Sequence, residues 1–219
     1  IFAIQQTSSG YLWLATEEGL VRFDGVRFRV FDKSNTKEMT TQIVSALFED
    51  SKKNLWIGTY GGGLLRFKDD KFEAFTSEKA LMNQIWSIYE DRKGNLWIGT
   101  DGGGLVCFKD GKFKVYTTRE GLARNSVFSI FEDSKDTLWI GGRGLNMIRN
   151  NQILSFMPAN GPFTATVRSI AEDNRGNLLL GTSEGFSILS KDKITTYTQK
   201  ERPTDNYIWC MLKDSHGTV

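Results

Sequence analysis

One phrase constrains this chain more than anything else in it: a short apolar strand ending in a small-residue turn, returned to at an almost fixed interval. The copies read YLWLAT at 11–16, NLWIGT at 54–59, NLWIGT at 95–100, TLWIGG at 137–142 and NLLLGT at 177–182. Their anchors Trp13, Trp56, Trp97, Trp139 and Leu179 lie 43, 41, 42 and 40 residues apart. A regular period of this length means a repeat architecture in which each unit buries its apolar surface against the next.

The content of one period identifies the unit. Between residues 85 and 117 the apolar runs are IWSIYED (85–91), LWIGT (96–100), GLVCF (104–108) and FKVYT (113–117), separated by RKGN, DGG and KDGK. The runs are short, rich in β-branched and aromatic residues, and bounded by turn formers, so they read as four strands. Four strands in about 42 residues is the arithmetic of a β-propeller blade. The expected fold is therefore an all-β propeller of four-stranded antiparallel blades. Five blades are expected, at about 1–40, 41–81, 82–123, 124–163 and 164–204, with the inner strand of a sixth in 205–219, the whole forming a single propeller segment.

The columns of the repeat fit this reading. The first strand carries a small-residue column of Ala3, Ala46, Ser87, Ser129, Ser169 and Cys210, suited to crowded inner strands. The Trp column supplies large apolar area between blades. The outer strand carries Phe31, Phe75, Tyr116, Phe156 and Tyr197. Gly63 and Gly104 align with Gly19, Gly144 and Gly185 at a strand entry, where positive φ is expected.

The recurrent acidic pairs Glu49-Asp50, Glu90-Asp91, Glu132-Asp133 and Glu172-Asp173 have the residue types of general acid–base chemistry. Their position before D-x-x-G-N turns favours a structural role, the Asp bonding backbone amides. The triple glycines precede a strand rather than a helix, which argues against a phosphate loop. One histidine, His216, and two cysteines, Cys107 and Cys210, make a zinc site or a Ser–His–Asp triad a poor fit. Both cysteines lie in apolar runs and read as small hydrophobes. No metal and no cofactor is expected.

The pattern I-x-x-I-x-E-D-x-x-G-x-L-W-I-G-T-x-G-G-G-L-x-x-F resembles the two-component regulator propeller repeat. ALFEDSKKNLWIGTYGGGLLRF and SIYEDRKGNLWIGTDGGGLVCF carry it nearly letter for letter, and the other units match more loosely. The resemblance covers essentially the whole chain. It implies large, seven-bladed propellers in the extracytoplasmic sensor half of membrane-bound signalling proteins, mostly hybrid histidine kinases, some of which respond to carbohydrate fragments. Five blades and one strand do not close a seven-fold ring. The chain, which opens on a strand, thus reads as a piece of a longer protein, as a ring closed differently, or as one completed by self-association through unpaired edge strands.

Function is then expected at the loops. The turns between second and third strands vary, with Tyr60, Asp101 and Arg143 at their tips. Entry to the inner strand varies too, through Gln42, Asn83, Gln84, Asn125 and Tyr207, and through a column holding Trp86, Phe128, Arg168 and Trp209. Aromatic rings beside amides suit a carbohydrate or small polar ligand, and Arg168 needs a partner or water. The reading is a non-catalytic sensor or interaction module in the periplasm, joined to a membrane only through further segments. The alternative is a structural scaffold that assembles through blade edges. A lyase or glycosidase lacks its acid–base set here. The interspersed charge, net +2, contains no run of like sign, and no nucleic-acid partner is expected. No apolar stretch approaches the roughly 18 residues of a membrane span.

Overall fold

A computed structural model describes residues 1–76, 78–149, 152–198 and 206–211. Five four-stranded sheets are built from consecutive strands, each in the order first to fourth. The first holds β1 (Ala3–Gln6), β2 (Leu12–Thr16), β3 (Gly19–Phe23) and β4 (Phe28–Phe31). The second holds β5 (Val44–Glu49), β6 (Leu55–Thr59), β7 (Leu64–Lys68) and β8 (Lys71–Phe75). The third holds β9 (Ile85–Glu90), β10 (Leu96–Thr100), β11 (Leu105–Lys109) and β12 (Lys112–Tyr116). The fourth holds β13 (Val127–Glu132), β14 (Leu138–Gly142), β15 (Gly144–Arg149) and β16 (Gln152–Ser155). The fifth holds β17 (Val167–Glu172), β18 (Leu178–Thr182), β19 (Gly185–Ser190) and β20 (Lys193–Tyr197). The only helical turns among the described residues are the short 3-10 segments Lys79–Met82 and Thr118–Glu120. The chain forms two compact units, Ile1–Val115 and Tyr116–Val219.

The second strands explain the repeated phrase. In β6, β10, β14 and β18 every residue is buried. A strand covered on both faces reads as a continuous apolar run instead of alternating. Within the first unit, one face of a sheet packs on the facing side of the next: Trp13, Leu20 and Phe31 share a core with Val44, Leu55, Ile57 and Leu65. Trp56 and Leu64 pack in the same way with Ile85, Leu96 and Ile98. In the second unit Trp139, Leu145 and Phe156 meet Val167, Leu178, Leu180 and Leu189. The aromatic columns expected from the sequence meet in pairs, with ring centroids 5.8 Å apart for Trp13–Phe31, 5.5 Å for Trp56–Phe75 and 5.3 Å for Trp139–Phe156. The glycine of the phrase is a packing residue: a Cβ on Gly58 would stand 2.5 Å from Ile85 Cγ2 of the following sheet.

Each glycine of the triple-glycine turn has its own reason. Gly61 and Gly63 take φ of 76° and 85°, in the left-handed region that side chains resist. Gly62 has no such φ, but a Cβ there would lie 2.5 Å from Thr41 Cγ2. The aligned Gly19, Gly104, Gly144 and Gly185 all have positive φ as expected. The third-to-fourth-strand hairpins use two successive left-handed residues, Asp69-Asp70, Asp110-Gly111 and Lys191-Asp192, the geometry that suits the strand twist.

Two expectations need adjusting. Of the sixth inner strand, residues 206–211 are described and carry no strand ladder, although Ile208 N donates to Thr182 O (3.0 Å) and Ile208 packs on Gly181. The rest of that segment, His216 included, lies outside the described residues. Cys107 is buried as a small hydrophobe, but Cys210 is exposed, because the segment that carries it lies against the fifth sheet with that side uncovered.

Candidate functional site

Each sheet has two ends, and they are built differently. At the end where the first strand turns into the second, the Asp of the acidic pair organises everything nearby. Asp91 Oδ1 accepts from Lys93 N (3.0 Å) and Asn95 N (2.8 Å), and its Oδ2 accepts from Asn95 Nδ2 (2.6 Å) and Trp97 Nε1 (2.8 Å). Asp50 repeats all four bonds around Trp56, and Asp133 repeats the two backbone bonds and the indole bond around Trp139, with Thr137 in place of the Asn. Asp173 keeps the turn bonds, but Leu179 offers no indole N–H. Burial works to raise the Asp173 carboxyl, and hydrogen bonds from the side chain and backbone of Asn177 outweigh it, so the group sits below the ordinary aspartate value.

The Glu of the pair reaches back one sheet. Glu90 takes both Ser51 N (2.7 Å) and Ser51 Oγ (2.9 Å), Glu49 does the same to Ser8, and Glu172 to Ser134. These carboxylates are therefore occupied as turn organiser and blade latch. The latch is a role that sequence reasoning missed, because its partner lies some 40 residues earlier in the chain.

The other end carries the variable residues. The Thr closing the second strand holds the turn shut, Thr59 Oγ1 donating to Gly63 O (2.7 Å) and Thr100 Oγ1 to Gly104 O (2.8 Å). The turn tip is then tied to the entry of the inner strand: Tyr60 N to Ile43 O (3.0 Å), Asp101 N to Gln84 O (2.9 Å) and Ser183 N to Thr166 O (3.0 Å). At that entry the ladder slips by one residue in four sheets. Val44 faces Thr59 and Ala46 faces Gly58, leaving Ser45 between them. Trp86, Phe128 and Arg168 occupy the same extra position in β9, β13 and β17. A bulge re-aims the side chain it inserts. The candidate column predicted from sequence is thus a column of bulged residues.

In the first unit the structure brings Tyr60, Asn83, Gln84 and Asp101 together. They line a hollow of about 210 Å³ with Gly61 and Met82. Tyr60 and Asp101 are exposed at their tips, and Tyr60 bridges to Gln84 across neighbouring sheets. Met82, 41% exposed, was not predicted; it ends the 3-10 turn Lys79–Met82 and falls in no repeated column. Asn83 Nδ2 donates to Ala80 O (3.1 Å), and Gln42 Nε2 donates to Glu18 Oε2 (3.3 Å), away from the hollow. Trp86 is half-buried at its bulge.

In the second unit Phe128, Arg168, Tyr207 and Trp209 form one stack. The Arg168 guanidinium carbon stands 3.9 Å from the Phe128 ring centroid and 5.0 Å from that of Trp209, and Arg168 Nε donates to Tyr207 Oη (3.1 Å). Such cation–ring contacts answer the sequence question of what accompanies Arg168. They also mean that the ring faces nearest the guanidinium are covered. Asn125 is engaged locally, its Oδ1 accepting from Thr118 N (2.9 Å). Arg143 is exposed at its tip and bridges to Thr166.

Fold and repeat together define a β-propeller segment whose turn-tip side chains differ from blade to blade. Residues 38–61, 81–102 and 121–144 match the two-component regulator propeller model. No curated protein sequence matches the chain. Among solved structures it is similar to the extracellular domain of the hybrid two-component system BT4673 from B. thetaiotaomicron, at 20% identity and a TM-score of 0.66 over 99% of this chain and 36% of that one. PorZ, a surface component of the type-IX secretion system of Porphyromonas gingivalis, is similar at 15% identity and a TM-score of 0.75 over 93% and 35%. Virginiamycin B lyase from Staphylococcus aureus, an enzyme, is similar at 15% identity and 0.69 over 94% and 71%. The chain spans about a third of the length of the two-component domain. Among the described residues no helix is long and apolar enough to cross a membrane.

Proposed function

We propose that this chain is a non-catalytic, ligand-sensing part of an extracytoplasmic two-component-type receptor, and that it recognises a small polar ligand, carbohydrate foremost, at the loop ends of its blades. One observation carries the reading. Positions with the same backbone hydrogen bond, Tyr60, Asp101 and Ser183, hold three different side chains, and two of them meet amides around one hollow. A phenol ring with Asn83, Gln84 and Asp101 offers an apolar face and both donors and acceptors to hydroxyl groups. The acidic pairs, which in an enzyme would be the acid–base candidates, are taken up in turns and latches. The likeness to a two-component extracellular domain supports the extracytoplasmic setting.

The test is a glycan array probed with the chain and with Asp101→Ala. Binding of a defined oligosaccharide class, lost in the variant, is the expected result. No glycan bound, or equal binding by both forms, contradicts the reading. A scaffold role is the second reading, favoured by β4, an outer strand with Phe28 66% and Val30 45% exposed. Concentration-dependent association abolished by Phe28→Lys would support it.

A further inference from the structure

Beyond that reading, each unit carries at the turn ends of its sheets a groove of the same origin, and the two grooves have opposite chemistry. The first lies in the first unit, between the first and second sheets, and has a volume of about 270 Å³. Here Arg22, paired with Trp13 across the strands, covers the aromatic floor. Its guanidinium carbon is 4.5 Å from the Tyr11 ring centroid and 5.6 Å from that of Trp13, and Nη1 meets Asp70 Oδ1 at 3.2 Å. The chain fills this groove with its own cation and neutralises it with its own acid.

The second groove lies in the second unit, between the fourth and fifth sheets, with a volume of about 250 Å³. Register gives the equivalences. Trp139 stands for Trp13, Met147 for Arg22, Leu189 for Phe67, and Asp192 for Asp70. The floor is apolar: Trp139, Met147, Phe156, Leu178 and Leu189. The rim carries Lys135, Arg149 and Lys191, all exposed. Of the two acids lining it, Asp133 is spent on Lys135 N, Thr137 N and Trp139 Nε1, which leaves Asp192 against three cations.

We infer that this second groove docks a protein partner through an acidic extended segment bearing one aromatic or large aliphatic side chain. That side chain lies over Trp139 and Met147, on the kind of floor that the Arg22 guanidinium covers in the first groove, and the flanking carboxylates meet Lys135, Arg149 and Lys191. The volume suits one large side chain. The sign of the rim selects the acidic flanks by charge complementarity, with the encounter weakened by salt.

The experiment uses the whole chain, isotope-labelled, titrated with three blocked pentapeptides while backbone and indole N–H resonances are followed. The peptides are Glu-Asp-Phe-Asp-Glu, its Ala-centred analogue, and Lys-Arg-Phe-Lys-Arg. The acidic Phe peptide is expected to shift the Trp139 indole and Leu189 resonances, with at least tenfold weaker binding by the Ala analogue. Met147→Arg, which gives this groove the arginine of the first, is expected to abolish the response. Should Met147→Arg not fold, the surface pair Arg149→Glu and Lys191→Glu, checked by an unchanged Trp139 indole resonance, is expected to weaken binding at least tenfold. No shift at millimolar acidic peptide, an undiminished response in the charge-reversed pair, or preference for the basic peptide would overturn the assignment.

Discussion

The two ends of a blade teach different lessons. At the turn end Asp50, Asp91 and Asp133 make the same bonds to the same kinds of partner, and the side chains repeat because the bonds repeat. At the loop end the backbone bonds repeat as strictly, Tyr60 N, Asp101 N and Ser183 N each reaching the same strand position, yet the side chains do not. A backbone bond leaves its side chain unconstrained, so this end is able to vary without cost to the blade. Repetition marks what holds the fold, and variation at fixed geometry marks where recognition is able to evolve.

This contrast predicts an order of effects. Trp97→Ala strikes hardest, since it removes a buried ring and leaves Asp91 Oδ2 short of a donor. A loss of about 3–5 kcal/mol is expected from chemical denaturation, and a loss under 1 would break the comparison. Gly63→Ala comes next, combining a φ of 85° with a Cβ 2.9 Å from Phe75 O. About 2 kcal/mol is expected from backbone strain and crowding. Glu90→Ala cuts two bonds to Ser51 at a partly exposed site, for about 1 kcal/mol. If this variant instead unfolds the chain, the latch carries far more than its bonds suggest. The smallest effect is chemical and not energetic. Burial first, and then the charge of Asp91, push the Cys107 thiol up to about 11, whereas Cys210 is exposed. A thiol reagent at pH 8 should therefore titrate one cysteine quickly in the native protein and two after denaturation.

Much of this was legible in the letters. A buried second strand announces itself as an unbroken apolar run, and a turn Asp by its distance from Gly and Asn. Gly63 and its equivalents were readable because positive φ leaves few residues to choose from. The single-residue bulge at Ser45, Trp86, Phe128 and Arg168 was not, because it exists only relative to the neighbouring strand. The Glu latch was hidden for a similar reason. Its carboxylate is in one repeat and its serine in the one before, and a column alignment shows only that both recur. The sequence marks Arg168 as a charge in need of company, but its partners Phe128, Tyr207 and Trp209 come from positions about 40 residues away on either side. The partners of Asn125 and Gln42 are equally invisible in the letters: Asn125 Oδ1 accepts from Thr118 N, and Gln42 Nε2 donates to Glu18 Oε2.

The central claim is that stability and recognition are separable between the two ends. The most direct measurement pairs calorimetric titration of the oligosaccharide bound by the wild type with thermal unfolding, for Tyr60→Ala and for Glu90→Ala. Tyr60→Ala should lose binding at least tenfold and keep its melting temperature within about 1 °C, as a surface change of under 0.5 kcal/mol does. Glu90→Ala should melt several degrees lower and bind as the wild type does. Unchanged affinity in Tyr60→Ala, or affinity and melting temperature falling together in both variants, would contradict the claim.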